Sequence, residues 1–93
     1  MTSKRGKPDI IFDILSAISE SEGSIKPTRL LYKSNLSYAR LKLYLESLIK
    51  QGLLAIKKEG DRKLISLTQK GYDYVVKYRQ MKEFMESFGV TEI

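Results

Sequence analysis

Histidine and cysteine are both absent from this 93-residue chain. The commonest general base and the thiol nucleophile are therefore missing. Zinc also has neither of its preferred ligands. The acids Asp9, Asp13, Glu20, Glu22, Asp61, Asp73, Glu83 and Glu86 are scattered, with no evident pair to share acid–base work, and no glycine-rich phosphate loop occurs. The expectation is a protein that is not an enzyme and that carries no cofactor or metal.

The chemistry on offer is that of cations. Seventeen basic residues against eleven acidic ones give a net charge of +6. The excess is gathered in one segment. From Ser24 to Lys58 lie Lys26, Arg29, Lys33, Arg40, Lys42, Lys50, Lys57 and Lys58, opposed only by Glu46. A polyanion is the natural partner of such a stretch.

Local signals order the elements that must position these cations. Residues 1–7 read as a flexible basic arm. Pro8 suits the first turn of a helix, and Ile10, Ile11, Ile14, Leu15 and Ile18 form its apolar stripe, with a stop near Gly23. Residues 24–26 form a short extended link. A brief helix follows Pro27, turns Leu30 and Leu31 inward, and breaks at Ser34-Asn35. Ser37 is placed to cap a third helix, whose apolar positions are Leu41, Tyr44, Leu45, Leu48 and Ile49 and which Gly52 closes. Two short strands, residues 53–58 and 63–67, flank the turn Glu59-Gly60-Asp61-Arg62 and make a hairpin. In the second strand Leu64 and Ser66 alternate with Lys63, Ile65 and Leu67. Thr68 caps a last helix running to about Phe88. The order is that of a winged helix-turn-helix: an α+β fold of three helices plus a β-hairpin wing, with a long C-terminal helix. The organisation is an arm (1–7), a winged-helix domain (8–68), a C-terminal dimerisation helix (69–88) and a tail (89–93).

A helix-turn-helix lays the N-terminal part of its third helix in the DNA major groove. At ~100° per residue, Arg40, Leu43, Ser47 and Lys50 lie opposite the apolar stripe, with Ala39 beside them and Lys42 near its edge. Arg40 suits guanine, Ser37 or Tyr38 reaches phosphate, and Leu43 and Ala39 follow thymine methyls or groove shape. Asn and Gln readers of adenine are missing from the first half of this helix, which argues for weak sequence preference. In the hairpin, Lys57, Lys58, Arg62 and Lys63 either cross the DNA backbone or belong to an ordinary soluble turn. Lys4, Arg5 and Lys7 either enter a minor groove or form a solubilising tail. Lys26, Thr28, Arg29 and Lys33 complete the candidate DNA-binding set.

The last helix spaces Tyr74, Tyr78, Met81, Met85 and Phe88 by alternating steps of four and three, a heptad seam widened by Val75 and Phe84. A small domain without disulfides gains from association. The expectation is a homodimer packed along this seam, the alternative being a helix folded back on its own domain. No apolar run approaches the roughly 20 residues of a membrane span. Neither this nor the N-terminus suggests a membrane or a secretory leader, so a cytoplasmic, nucleoid-associated location is expected.

The runs Arg29-Leu30-Leu31-Tyr32-Lys33-Ser34-Asn35-Leu36-Ser37-Tyr38, Leu41, Tyr44, Leu45 and Leu48, Gly52-Leu53-Leu54, and Leu67-Thr68-Gln69-Lys70-Gly71 together resemble the archaeal winged helix-turn-helix family over about residues 8–88. The family includes the small dimeric chromatin proteins of the Sulfolobus type. The resemblance implies binding to double-stranded DNA with low sequence specificity, a dimer joined by an antiparallel coiled coil of the C-terminal helices, and a role in chromatin organisation or transcription regulation. The rivals are a sequence-specific repressor and a protein-interaction module. RNA is the weaker nucleic-acid candidate, for want of a clear aromatic stacking platform.

Overall fold

The computed structural model describes residues 6–89. Helix α1 (Lys7–Glu20) is followed by strand β1 (Ser24–Ile25), helices α2 (Pro27–Ser34) and α3 (Tyr38–Lys50), strands β2 (Leu54–Glu59) and β3 (Arg62–Leu67), and helix α4 (Gln69–Ser87). The three strands form one antiparallel sheet in the order β1-β3-β2. This is the expected winged helix with one addition. The link after Gly23 is a third strand, with Ser24 opposite Ser66 and Ile25 opposite Ile65.

The caps explain the boundaries. Pro8 sits in the first turn of α1, and the amide of Gly6 donates to the Asp9 carboxylate at 3.3 Å. Asn35 ends α2 in the left-handed region at φ 61°. Ser34, a buried polar residue, donates to the Leu31 carbonyl at 3.1 Å and accepts from the Leu36 amide at 3.3 Å, so the turn of the helix-turn-helix holds its own polar groups. The Ser37 hydroxyl accepts from the Arg40 amide at 3.2 Å and caps α3. In the hairpin Gly60, at φ 62°, takes the first central position of a two-residue turn, where the type II′ geometry favours glycine.

The core joins Ile10, Ile14, Leu15 and Ile18 of α1, Leu30, Leu36, Leu41 and Leu48 around the helix-turn-helix, Ile25, Leu54, Ile65 and Leu67 of the sheet, and Val75 of α4. Because β3 is the central strand, Leu64 and Ile65 are both buried although they point to opposite faces, and only Ile65 belongs to the main core.

The junction between sheet and last helix is built from the Leu67-Thr68-Gln69-Lys70-Gly71 run. The Thr68 hydroxyl lies 2.6 Å from the Gly52 carbonyl oxygen and 3.0 Å from that of Leu53, so its single proton is directed at the loop after α3. It also accepts from the Gly71 amide at 3.1 Å, capping α4. The Lys70 ammonium donates to the Gln51 carbonyl at 2.7 Å, placing a cation on the negative end of α3. Any Cβ at Gly71 would press on the Leu53 carbonyl oxygen and the Leu67 side chain. Two side chains of one motif, Thr68 and Lys70, and the close approach that Gly71 permits thus tie α3, the wing and α4 together.

Helix α4 is seated on α1 by aromatics. Phe12 and Tyr78 stack with ring centroids 4.4 Å apart, Tyr74 lies alongside at 6.1 Å from Tyr78, and the Arg79 guanidinium sits 5.8 Å over Phe12. The Tyr74 hydroxyl donates to the Pro8 carbonyl at 3.2 Å. No helix is long and apolar enough to cross a membrane, among the described residues.

Candidate nucleic-acid interface

Helix α3 buries Leu41 and Leu48 and leaves Tyr38, Ala39, Arg40, Lys42, Leu43, Glu46, Ser47 and Lys50 exposed. The outward face is therefore the one its spacing predicts. Leu43 is 67 % exposed and takes no part in the core. Ser47 is partly engaged, accepting from the Gln51 side-chain amide at 3.1 Å. On α2 and its lead-in, Lys26, Thr28, Arg29 and Lys33 are all exposed.

The hairpin sorts its charges by face. Register pairs Lys58 with Lys63, Ile56 with Ile65 and Leu54 with Leu67. Directly opposed residues share a face, so Lys58 and Lys63 continue the side on which Leu54 and Ile65 meet the helices. Two lysines directly opposite repel each other. Arg62 is opposed to Glu59 on the other face, where Lys57 approaches Glu59 at 3.5 Å. The four hairpin cations of the sequence reading thus divide into an unneutralised pair and a pair beside a carboxylate. Apart from Lys57, no cation of α2, α3 or the hairpin forms an ion pair with a described residue.

Lys7 opens α1 and is exposed, whereas Lys4 and Arg5 lie outside the described residues. One residue the sequence reading passed over is Tyr32, on α2 between Arg29 and Lys33. It is 89 % exposed. Its position opposite the buried Leu30 was available from the helical period, but a tyrosine in a short amphipathic helix reads first as a core residue.

The seam on α4 requires a correction. Tyr78 is only 8 % exposed and Tyr74 is half-buried, both held against α1 by the stacking and hydrogen bond described above. They fold the helix onto its own domain, and Tyr78 is buried there. Beyond Tyr78 the seam opens: Met81, Phe84 and Phe88 are exposed and Met85 is half-buried. Phe84 and Phe88 are 64 % and 69 % exposed, and their rings are 5.1 Å apart. Phe84 is more prominent here than its place at the margin of the heptad stripe suggested.

Burial raises the Tyr74 phenol above its usual range, with the Asp9 carboxylate adding to the effect. Among the described residues no group of His, Cys, Asp or Glu side chains is arranged to hold a metal ion. An open groove between α1, the end of α2 and α4 is lined by Phe12, Asp13, Ser16, Glu20, Lys33, Asn35 and Arg79.

A scaffold of three helices and a winged sheet, carrying exposed cations on its third helix and hairpin, defines the class, and the chain belongs to the winged helix-turn-helix family, whose model matches residues 4–86. It is similar to Sso10a-2, a DNA-binding protein from Sulfolobus solfataricus, at 33 % identity over 90 % of this chain and 85 % of that one, with a TM-score of 0.73. It shares its fold with F93 from STIV, a winged-helix DNA-binding protein, at 20 % identity over 84 % of this chain and 90 % of that one, with a TM-score of 0.71. MarR from E. coli has the same fold at 23 % identity, over 83 % of this chain and 60 % of that one, with a TM-score of 0.68. Among curated proteins none matches the chain.

Proposed function

We propose that the protein binds double-stranded DNA with low sequence specificity, through α3 and the Lys58–Lys63 side of the wing, and acts in nucleoid organisation or transcription regulation rather than in catalysis. The observation that carries this reading is a set of exposed cations, Arg40, Lys42, Lys50, Lys58 and Lys63, that no described carboxylate neutralises. Such groups replace condensed counterions on a duplex, and the released ions supply the affinity. The similarity to a DNA-binding protein at 33 % identity supports the same partner. Low specificity follows from the reading face itself. Arg40 is its one guanidinium, and Leu43 and Ala39 offer shape and methyl contacts without a hydrogen-bond code. Binding measured on random duplex in competition with duplexes selected for affinity tests this. A ratio above about a thousandfold identifies a site-specific repressor instead.

The proposal extends to a homodimer in the cytoplasm, joined along Met81, Phe84, Met85 and Phe88. Full burial of side chains of this size stabilises by about 1.5–3 kcal/mol each. The helical residues 79–87 carry them about 13 Å beyond the last buried contact, at ~1.5 Å per residue. A second copy of the same helix, packed antiparallel, covers this face without a new kind of partner.

A further inference from the structure

The most exposed aromatic of the helix-turn-helix is not explained by the duplex contacts assigned to α3 and the wing. Tyr32 is 89 % exposed and Tyr38 is 69 % exposed. Neither makes a ring contact or a hydrogen bond with a described residue. Tyr32 stands opposite the buried Leu30, with Arg29 and Lys33 on the same outward side of α2. Tyr38 opens α3 with Arg40 and Lys42 close behind it. The turn between the two rings is short and fixed by Ser34, by left-handed Asn35 and by the Ser37 cap. A tyrosine hydroxyl reaches phosphate, but a paired duplex keeps its base faces stacked inside, so such a contact leaves the faces of the rings unused. Cations interleaved with open aromatic faces are instead the elements of a surface for unpaired bases, whose faces stack on the rings while lysine and arginine follow the backbone.

We propose that the Arg29–Tyr32–Lys33 face of α2, together with Tyr38, is a second nucleic-acid surface that takes unpaired bases of single-stranded DNA. It rests on the nucleic-acid reading above and shares Tyr38 with the α3 face, while Arg29, Tyr32 and Lys33 lie outside the α3 and wing contacts. The occupant follows from charge and chemistry. The surface is cationic with no described acid paired to it, and its apolar elements are flat rings, not the aliphatic ridge that would suit a protein helix. A strand held here would be one exposed where the duplex opens or ends.

The test is fluorescence anisotropy of the full chain with a mixed-sequence single-stranded oligonucleotide and with the matching duplex, at one fixed salt concentration. Tyr32→Ala and Tyr38→Ala remove the rings at exposed positions, so the fold is not at stake. Each is expected to weaken single-strand binding about five- to a hundredfold, as loss of one stacked base does, and Tyr32→Ala to weaken duplex binding by less than about threefold. Tyr32→Phe keeps the ring and should retain single-strand affinity. Single-strand affinity unchanged in the Tyr32→Ala, Tyr38→Ala double variant overturns the inference, as does an equal loss on the duplex for Tyr32→Ala. A native chain that binds duplex but not single strands refutes the second surface alone. A chain that binds neither refutes the duplex reading and this one with it.

Discussion

Replacing Arg40 and Lys42 by alanine separates phosphate contact from mere proximity of charge. Both side chains are exposed. The cap of α3 uses the Arg40 backbone amide, which alanine keeps. Alanine is also the best helix former, so α3 should persist. Each cation that neutralises a phosphate contributes about 0.9 to the slope of log affinity against log salt. Two such contacts make about 1.8. Over a fourfold rise in salt, from about 50 to 200 mM, the native chain should therefore lose about twelvefold more affinity than the variant. The measurement is anisotropy of labelled duplex titrated at several salt concentrations, with circular dichroism to verify the helix content. If the variant retains both the native affinity and the native slope, α3 is not the DNA-contacting helix. If affinity falls while the slope stays, these side chains act by some means other than counterion replacement.

Met81→Glu with Phe84→Glu should convert a dimer to monomers in sedimentation, since two carboxylates cannot be buried unpaired in an apolar seam. A dimer that survives places the interface elsewhere. Gly71→Ala normally favours a helix, but here the added methyl meets the Leu53 carbonyl and Leu67. It should therefore destabilise by about 1–3 kcal/mol in denaturant melts, and a neutral or stabilising result contradicts the close packing at that junction. Thr68→Ala removes the α4 cap and the link to the loop after α3, at a cost of about 0.5–2 kcal/mol, readable in the same melts. Because the Tyr74 phenol is held above its usual range by burial and then by Asp9, its contribution is complete below the unfolded value near 10.0 and falls away as pH rises past it. Tyr74→Phe should flatten the loss of stability above about pH 10 relative to the native chain, and parallel curves for the two proteins exclude this group as the cause.

Much of the molecule is legible in single stretches of sequence. Ser37 and Thr68 announce helix starts, because a short hydroxyl side chain satisfies an orphan amide of its own first turn. The apolar stripe of α3 announces which side faces water, because the helical period is fixed by the backbone. Hence the sequence reading and the structure agree on Arg40, Leu43, Ser47 and Lys50. The segment that holds the excess cations is likewise visible without coordinates.

What the sequence could not decide concerns residues whose partners are far away along the chain. Ser24–Ile25 is too short for a periodic signal and becomes a strand only because β3, some forty positions on, offers a free edge. Lys58 and Arg62 look alike in sequence, yet strand register sends one toward the helices' side and the other toward Glu59. Tyr78 fits a heptad seam as well as Met81 does. Only the position of Phe12, on a helix near the other end of the chain, draws Tyr78 inward and leaves the apolar face to start at Met81. Composition and local hydrogen-bond chemistry thus determined the elements, their order and their charge. Tertiary packing determined which aromatics serve the core and which stay open to a partner, because burial depends on neighbours that the local pattern does not contain.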